Sequence, residues 1–285
     1  MQTHEPRHRW IVNEPAIPFS MRILYADNAI IVVDKPHFLP TTPRGMWYRS
    51  TALMRLREQF CDDRIVPAHR LDRATAGVVL FVRDPSLRGA YQMLFQNRQV
   101  HKRYECIAPA AIVRRPQYGV TRSLNPPAVF PILRESRITK RRGKLQAFES
   151  IGAANSSTLI SVSHDQGPVL ETHESGCISR RQHHPGLPRL LWRVYSLQPR
   201  SGKTHQLRVH MNSIGLPILG DDLYPEIRMK ATPPTEGESA GASPEDFAHP
   251  LQLVARDLEF MDPVTARPRR FVSQIPLELP RTGHM

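Results

Sequence analysis

The residue best suited to chemistry in this sequence is Asp72, which lies in the stretch His69-Arg70-Leu71-Asp72-Arg73-Ala74-Thr75-Ala76-Gly77. The apolar run 78–82 follows directly, so a carboxylate between two arginines stands at the mouth of a predicted buried strand. Such an ion is normally paired or functional, because removing it from water without a partner is costly. An isolated Asp–Arg pair would indicate only a turn cap or a surface ion pair, so the whole stretch has to decide.

The stretch 69–77 closely resembles the H-R-L-D-x-x-T-(S/A)-G motif of the RluA-type pseudouridine synthases, a family that isomerises uridine in structured RNA. Residues 102–104 match the K-x-Y motif of that family, and Asp34-Lys35-Pro36 resembles its first motif, a Lys-Pro step after a strand. Lys35 at this strand end is open to two interpretations, a phosphate contact or a solvated side chain. A lone strand tyrosine would indicate core packing, but the position of Tyr104 behind the Asp72 motif favours a functional role.

A third match covers residues 202–224, which resemble G-R-T-H-Q-I-R-V-H followed by G-x-P-I-x-G-D-x-x-Y. Lys203 replaces the usual arginine and Asp222 a usual proline. The segment predicts a turn from a strand end into a short helix, with Gln206 and Arg208 on different faces. One of these two side chains is then expected to meet RNA, and the other to point into the catalytic pocket.

The resemblance implies that Asp72, Tyr104 and Arg208 are the catalytic residues. Asp72 is expected to attack C1′ of the ribose as a nucleophile, or to take a proton from C2′ to give a glycal; the sequence leaves both routes open. Arg208 is expected to form an ion pair with Asp72, and Tyr104 to lie against the target base, by stacking or near the C5 proton. The expected RNA contacts are Arg70, Arg73, Lys102, Lys203, His205, Gln206, Arg141 and Arg142.

Within that set, Arg70 is the candidate for filling the place of a uridine taken out of its stack. Arg73 is interpreted as a phosphate contact or a loop anchor, and His69 as a structural hydrogen-bonding residue. The reaction needs neither a redox step nor an added group, so no cofactor and no metal are expected.

The charge balance favours nucleic acid as the partner. With 39 Lys and Arg against 26 Asp and Glu, the 285-residue chain carries a formal net charge of +13, which attracts polyanions. No apolar run is long enough to cross a bilayer, and the N-terminus lacks the apolar core of a secretory signal. The three cysteines are irregularly spaced, as in a reducing compartment. A cytoplasmic monomer that acts on ribosomal or transfer RNA is expected.

Hydrophobic periodicity supplies the elements that must hold these residues. Helices are predicted at 51–59 and 86–97. Strands are predicted at 23–25, 29–33, 78–82, 101–108, 148–151, 158–162, 191–197, 250–256 and 258–260. Hairpin-like succession with few helices predicts an α+β fold, and the family implies a long, mixed, mainly antiparallel sheet with an RNA-binding cleft across it.

A single catalytic domain is expected over residues 20–280, behind an N-terminal arm at 1–19. Residues 112–190 are interpreted as a variable insertion and 226–248 as a mobile loop, because the latter is rich in Pro, Gly and Ser. The basic run 134–144, with a turn at Gly143, is a candidate for backbone contact with RNA. A zinc site at His173, Cys177, His183 and His184 is disfavoured, because their spacing fits no paired ligand pattern.

Two other functions compete with the isomerase. A metal-dependent nuclease using Asp72 with Asp62, Asp63, Asp221 or Asp222 would need several carboxylates on ions, whereas the strongest acidic positions are expected to pair with arginines. A non-catalytic RNA-binding protein on the same fold would explain the charge equally well. It would leave the joint presence of Asp72, Tyr104 and Arg208 unexplained.

Overall fold

The computed structural model describes residues 14, 16–45, 47–163, 170–172, 190–227 and 247–279. The strands within these ranges are β1 (Arg22–Ala26), β2 (Ile30–Lys35), β3 (Val66–Pro67), β4 (Ala76–Val82), β5 (Val100–Pro109), β6 (Val120–Ser123), β7 (Ile132–Thr139), β8 (Phe148–Ser150), β9 (Ser156–Val162), β10 (Leu170–Thr172), β11 (Leu190–Pro199), β12 (Leu253–Met261) and β13 (Pro268–Val272). The helices are α1 (Ala52–Phe60), α2 (Arg88–Gln96) and α3 (Gln206–Ser213), with a 3-10 turn at Pro85–Leu87 before α2.

The described strands join one large sheet in the order β1-β2-β4-β12-β5-β11-β9-β7-β6. Every pairing is antiparallel except that of β4 with β12, which is parallel. The predicted α+β class and the mixed, mainly antiparallel sheet are therefore confirmed. No helix in the described ranges combines the length and the apolar character that a bilayer crossing requires.

Strand β4 lies inside the sheet, between β2 and β12, and both of its faces are apolar. All seven of its residues are buried, and they alternate between two clusters: Val79 and Phe81 pack on one face, and Val78, Leu80 and Val82 on the other. Helix α1 covers the first face and α2 the second. The loop just before β4, which carries Asp72, is thereby attached to a strand that is buried on both faces.

Helix α1 begins where the sequence predicts, because Thr51 caps it. The Thr51 hydroxyl accepts a hydrogen bond from the Met54 N–H group at 3.3 Å, which satisfies one of the free N–H groups of the first turn. Helix α2 is shorter than predicted, since the 3-10 turn takes up its first residues.

The segment 112–163 is part of the main sheet, because β6 to β9 extend the sheet beyond β11. The predicted hairpin turn at Gly143 is present, with φ +80°. Arg134 is not a solvated residue of the basic run: it is fully buried, and its guanidinium lies 2.6 Å from the Glu149 carboxylate. The four zinc-candidate residues (173, 177, 183, 184), most of the predicted loop 226–248 and most of the arm 1–19 lie outside the described residues.

Candidate active site

One cleft of about 1480 Å³ brings together the ends of several elements. It is lined by the loop before β4, the start of β5, the end of β11 and the start of α3. Asp72, Tyr104 and Arg208 are far apart in sequence, and all three line it. The cleft is therefore the place in the described chain where the sequence-predicted catalytic residues meet.

The loop that carries Asp72 is held by side chains of the segment that follows β2. The Thr41 hydroxyl donates to the Leu71 carbonyl at 2.9 Å and accepts from the Leu71 N–H group at 3.2 Å. His37 Nδ1 donates to the Ala74 carbonyl at 2.9 Å. These bonds fix the backbone on both sides of Asp72, whose side chain is half-buried.

Lys35 also supports this loop. It is neither a phosphate contact nor a solvated side chain, the two interpretations that its sequence position allowed. Its side chain is fully buried. The ammonium group donates to the carbonyls of Leu39 at 2.7 Å, Pro36 at 3.0 Å and Arg73 at 3.4 Å. Burial lowers the pKa of Lys35 to about 7, although the negative charge of Asp72 partly opposes this shift.

Gly77 ends this loop at a point where no side chain fits. Its φ of +114° is a conformation that L residues rarely adopt. A Cβ atom there would lie 2.3 Å from the Ala255 carbonyl oxygen of β12. The glycine in the sequence pattern is thus required by the close parallel approach of β4 and β12.

Tyr104 enters the cleft from β5 and is half-buried. Burial, and then the nearby negative charge of Asp72, raise the pKa of its phenol well above the ordinary value of 10.0. The phenol therefore keeps its proton at neutral pH, which favours contact with an uncharged ring over proton abstraction.

Arg208 does not form the predicted ion pair with Asp72. Its Nε and one terminal nitrogen bind both carboxylate oxygens of Asp221, at 2.8 and 2.5 Å. The same terminal nitrogen donates to Asp222 at 2.8 Å. Burial lowers the pKa of Arg208, but the bonds and charges of Asp221, Asp222 and Asp72 outweigh burial and raise it overall. Asp72 thus acts on Arg208 through space, within a shared cleft.

The prediction for Gln206 also needs correction, because its side chain faces the protein and not the solvent. Its amide nitrogen donates to the Ser157 carbonyl at 3.0 Å and to the Thr158 hydroxyl at 2.9 Å. Its oxygen accepts from Ser201 and from the Lys203 N–H group. Gln206 and Arg208 are both buried, so the prediction that one of them is presented for RNA contact is wrong.

His205 lies at the start of α3 with a left-handed φ of +55°. Its Nδ1 is 3.1 Å from the Tyr224 hydroxyl, and that hydroxyl is bonded to the Ala147 backbone. Burial lowers the pKa of His205, with Asp72 acting in the opposite direction. The ring therefore connects the cleft to the β7–β8 hairpin.

The predicted RNA contacts divide into two groups. Arg70, Lys102, Lys203 and His205 line the cleft together with the buried Gln206. Arg73 does not; its guanidinium lies 4.2 Å from the centre of the Trp47 ring and 5.8 Å from that of Phe38, which supports the loop-anchor interpretation.

Arg141 and Arg142 are exposed on the β7–β8 hairpin and do not line the cleft. Five further arginines that line it were missed: Arg44, Arg98, Arg103, Arg200 and Arg270. Arg98 and Arg200 come shortly after predicted elements, but nothing in the local sequence of the five distinguishes them from other surface arginines.

A cleft that combines a carboxylate, a phenol and several cations on one large sheet is the arrangement of an enzyme with a polyanionic substrate. The comparisons with known proteins agree with this class. A family model described as RNA pseudouridylate synthase matches residues 29–213. The chain belongs to this family, whose members are isomerases that act on RNA.

Two curated relatives show how far the likeness extends. The dual-specificity RNA pseudouridine synthase RluA of Haemophilus influenzae is 29% identical over 78% of this chain and 84% of the relative. An uncharacterized RNA pseudouridine synthase of Synechocystis is 26% identical over 76% of this chain, and the chain spans only 62% of its length.

A solved structure of human RNA pseudouridylate synthase domain containing 4 covers 90% of this chain and 88% of its own, with a TM-score of 0.53 and 23% identity. That likeness concerns the fold.

Proposed function

We propose that this chain is an RNA pseudouridine synthase that isomerises specific uridines in structured RNA, either ribosomal or transfer RNA. The reaction breaks the bond from ribose C1′ to N1 of uracil, turns the base, and joins C1′ to C5. The C5 proton leaves and N1 gains a proton, so no outside group is consumed. The observation that carries the proposal is the meeting of Asp72, Tyr104 and Arg208 in one cleft lined by cations.

Asp72 is the proposed catalytic carboxylate. The bonds to the backbone on both sides of it hold the loop in one place, which lowers the cost of positioning the carboxylate against the sugar. Attack on C1′ and removal of a C2′ proton both use the same ionised oxygen. Tyr104 keeps its proton, so we assign it to stacking on the base.

Arg208 is proposed to stabilise negative charge in the cleft. Asp221 holds its Nε side, which leaves the other terminal nitrogen available for the cleft. Arg70 stands exposed two residues before Asp72, where a side chain can fill the gap left by an extracted uridine. Extraction costs a few kcal/mol, which stacking and insertion recover.

The test uses Asp72→Asn, which keeps the shape of the side chain and removes its charge. RNA from cells that lack the gene is incubated with the purified protein, and pseudouridine is mapped by sequencing. We expect a loss of at least about 10³-fold in rate, as for other essential nucleophiles, with RNA affinity nearly unchanged.

Asp63→Asn, at an exposed position outside the cleft, is the matched control and should stay fully active. Activity retained by Asp72→Asn would refute the assignment of this carboxylate. If the wild-type protein binds RNA but forms no pseudouridine, the chain is an RNA-binding protein on the same fold.

A further inference from the structure

The cleft continues past Tyr104 along the end of α2 and the start of β5. We call this extension the α2 shelf and define it by Gln92, Gln96, Arg98 and Lys102, all of which line the same cleft as Asp72. The isomerisation itself makes no use of the first three of these residues. The α2 shelf therefore places polar and charged side chains in the cleft that the isomerisation does not require.

The two glutamines form a pair of amide groups on one helix face. They are four residues apart on α2, which places their side chains about 6 Å from each other, and both are exposed. Gln92 uses one N–H group on the Pro67 carbonyl at 3.3 Å and keeps its oxygen available. Gln96 lies in the last turn of the helix and lines the same cleft. An amide offers a donor and an acceptor side by side, which suits the edge of a nucleobase.

The two cations of the α2 shelf lack carboxylate partners among the described residues. Lys102 is half-buried, and burial lowers its pKa. Arg98 is exposed at the end of α2, in a left-handed conformation with φ +58° that a non-glycine residue seldom adopts. These two cations can therefore bind an anion from outside the protein. Phosphate is the anion that accompanies a nucleobase.

The α2 shelf is fixed relative to Asp72 by one ring contact. Phe95, the neighbour of Gln96, stacks on His69 with 4.3 Å between ring centres. His69 Nε2 accepts a hydrogen bond from the Leu80 N–H group of β4 at 3.2 Å. Burial lowers the pKa of His69 to about 3, so the ring stays neutral and this contact persists at physiological pH. A nucleotide on the α2 shelf would thus have a set distance from the carboxylate three residues after His69.

We propose that the α2 shelf binds the nucleotide next to the target uridine, with its base edge at Gln92 and Gln96 and its phosphate at Arg98 and Lys102. The α2 shelf then determines which sequence context is modified. This inference rests on the proposed function for the identity of the central uridine, but recognition of the neighbouring nucleotide can be measured by binding alone.

The experiment uses a pool of RNA stem–loops with one fixed uridine in the loop and random nucleotides on either side of it. The pool is offered to the wild-type protein and to the double variant Gln92→Ala/Gln96→Ala. Bound RNA and pseudouridine-containing RNA are sequenced separately. The wild type should prefer one base at one flanking position, and the double variant should lose about 10-fold of that preference while other positions keep theirs.

Arg98→Ala and Lys102→Ala should weaken binding of all sequences and each lower the salt slope by nearly one, as expected for a lost phosphate contact. Gln99→Ala and Arg267→Ala, exposed positions outside the cleft, are the matched controls and should change neither quantity. An unchanged context profile in the double variant, with the same melting temperature as wild type, would overturn the proposal.

The two read-outs separate the possible failures. If the wild type forms no pseudouridine in the pool, the proposed function fails for these RNAs, and the bound fraction still decides whether the α2 shelf reads the flanking base. If both fractions show a context preference that the glutamines do not control, the inference fails while the enzyme assignment stands.

Discussion

At the scale of single residues, Lys35 shows how a charge can serve the fold of a site without facing the substrate. Its ammonium group donates hydrogen bonds to two backbone carbonyls in the segment after β2 and to one in the loop that carries Asp72. Since those carbonyls lie in a buried place, removing their donor leaves them unsatisfied, which costs about 1–3 kcal/mol for each group.

We predict that Lys35 makes the stability of the protein depend on pH. The unfolded chain holds this proton up to about pH 10.5, whereas the folded chain releases it near pH 7. Between these values the unfolded state binds more protons, so the free energy of unfolding should rise with pH, by at most about 1.4 kcal/mol per unit. Urea unfolding at several pH values between these two limits would measure this rise.

The matched variant is Lys35→Met, which is similar in length and has no proton to release. It should be less stable than wild type, and its stability should lack this part of the pH dependence. Tyrosines and cysteines also titrate in this range, but they are common to both proteins, so the difference isolates Lys35. A difference that is constant with pH would contradict the prediction.

Local sequence could identify the catalytic candidates but not their partners. Asp72, Tyr104 and Arg208 stand in distinctive motifs, and they do share a cleft. The partner of Arg208 was predicted wrongly, because the motif gives no distances and the acidic pair 221–222 contacts α3 only once the chain after the helix has folded back on it. The role of Lys35 was missed because its burial and its bond to the Arg73 carbonyl, 38 residues away, arise only in the folded chain.

At the scale of elements, the parallel contact of β4 with β12 decides how the Asp72 loop ends. Val254 and Ala255 pair with Ala76 and Gly77. The approach is so close at Gly77 that the β12 backbone occupies the space of a side chain. The end of the Asp72 loop is therefore fixed by the pairing of β4 with β12.

We predict that Gly77→Ala destabilises the protein by about 2–4 kcal/mol, because it combines a strained φ with a clash against backbone that cannot move aside. The same change should reduce pseudouridine formation in the surviving folded protein, since the loop that carries Asp72 must shift. Thermal or urea unfolding, followed by the activity assay at a temperature where the variant is folded, would test both parts.

Gly89→Ala is the matched control for this prediction. Gly89 lies within α2 and has no positive φ, and a Cβ atom at this position would meet no other atom within 4 Å. Alanine there should raise stability by about 0.5–1 kcal/mol through its higher helix propensity. Equal stability of the Gly77 and Gly89 variants would remove the close strand approach from the explanation.

Elements with clear periodicity were predicted well, and those defined by distant pairing were not. The alternation in 191–197 and the apolar run 78–82 appear as β11 and β4. The segment 112–190 was interpreted as an insertion. The strands predicted within it at 148–151 and 158–162 appear as β8 and β9, but β6 and β7 were missed, because β6 is a strand only beside β7 and β7 is held between β6 and β9. The strands predicted at 250–256 and 258–260 are replaced by one strand, β12, because β5 and β13 pair along its length.

At the scale of the whole molecule, the cleft is lined by several positively charged side chains that form no ion pair with a carboxylate of the described chain. The cations that line the cleft and have no carboxylate partner among the described residues are Arg44, Arg70, Arg98, Lys102, Arg200 and Lys203. By contrast, Arg103 and Arg270 on the same wall are both paired with Asp257. The unpaired set is therefore positive charge that the cleft can offer to an RNA backbone.

We predict that RNA affinity falls steeply with salt. If each of these unpaired cations binds one phosphate, the plot of log K against log salt concentration should have a slope of about −4 to −5. Filter binding of a structured RNA at several salt concentrations between about 50 and 300 mM would measure it.

The triple variant Arg44→Ala/Arg200→Ala/Lys203→Ala should bring the slope to about −2. Arg267→Ala, which removes an exposed cation outside the cleft, should leave it unchanged, because counterions are released only where phosphates are actually contacted. A slope near zero for the wild type, or an equal fall for Arg267→Ala and the triple variant, would mean that RNA binds by some other surface than this cleft.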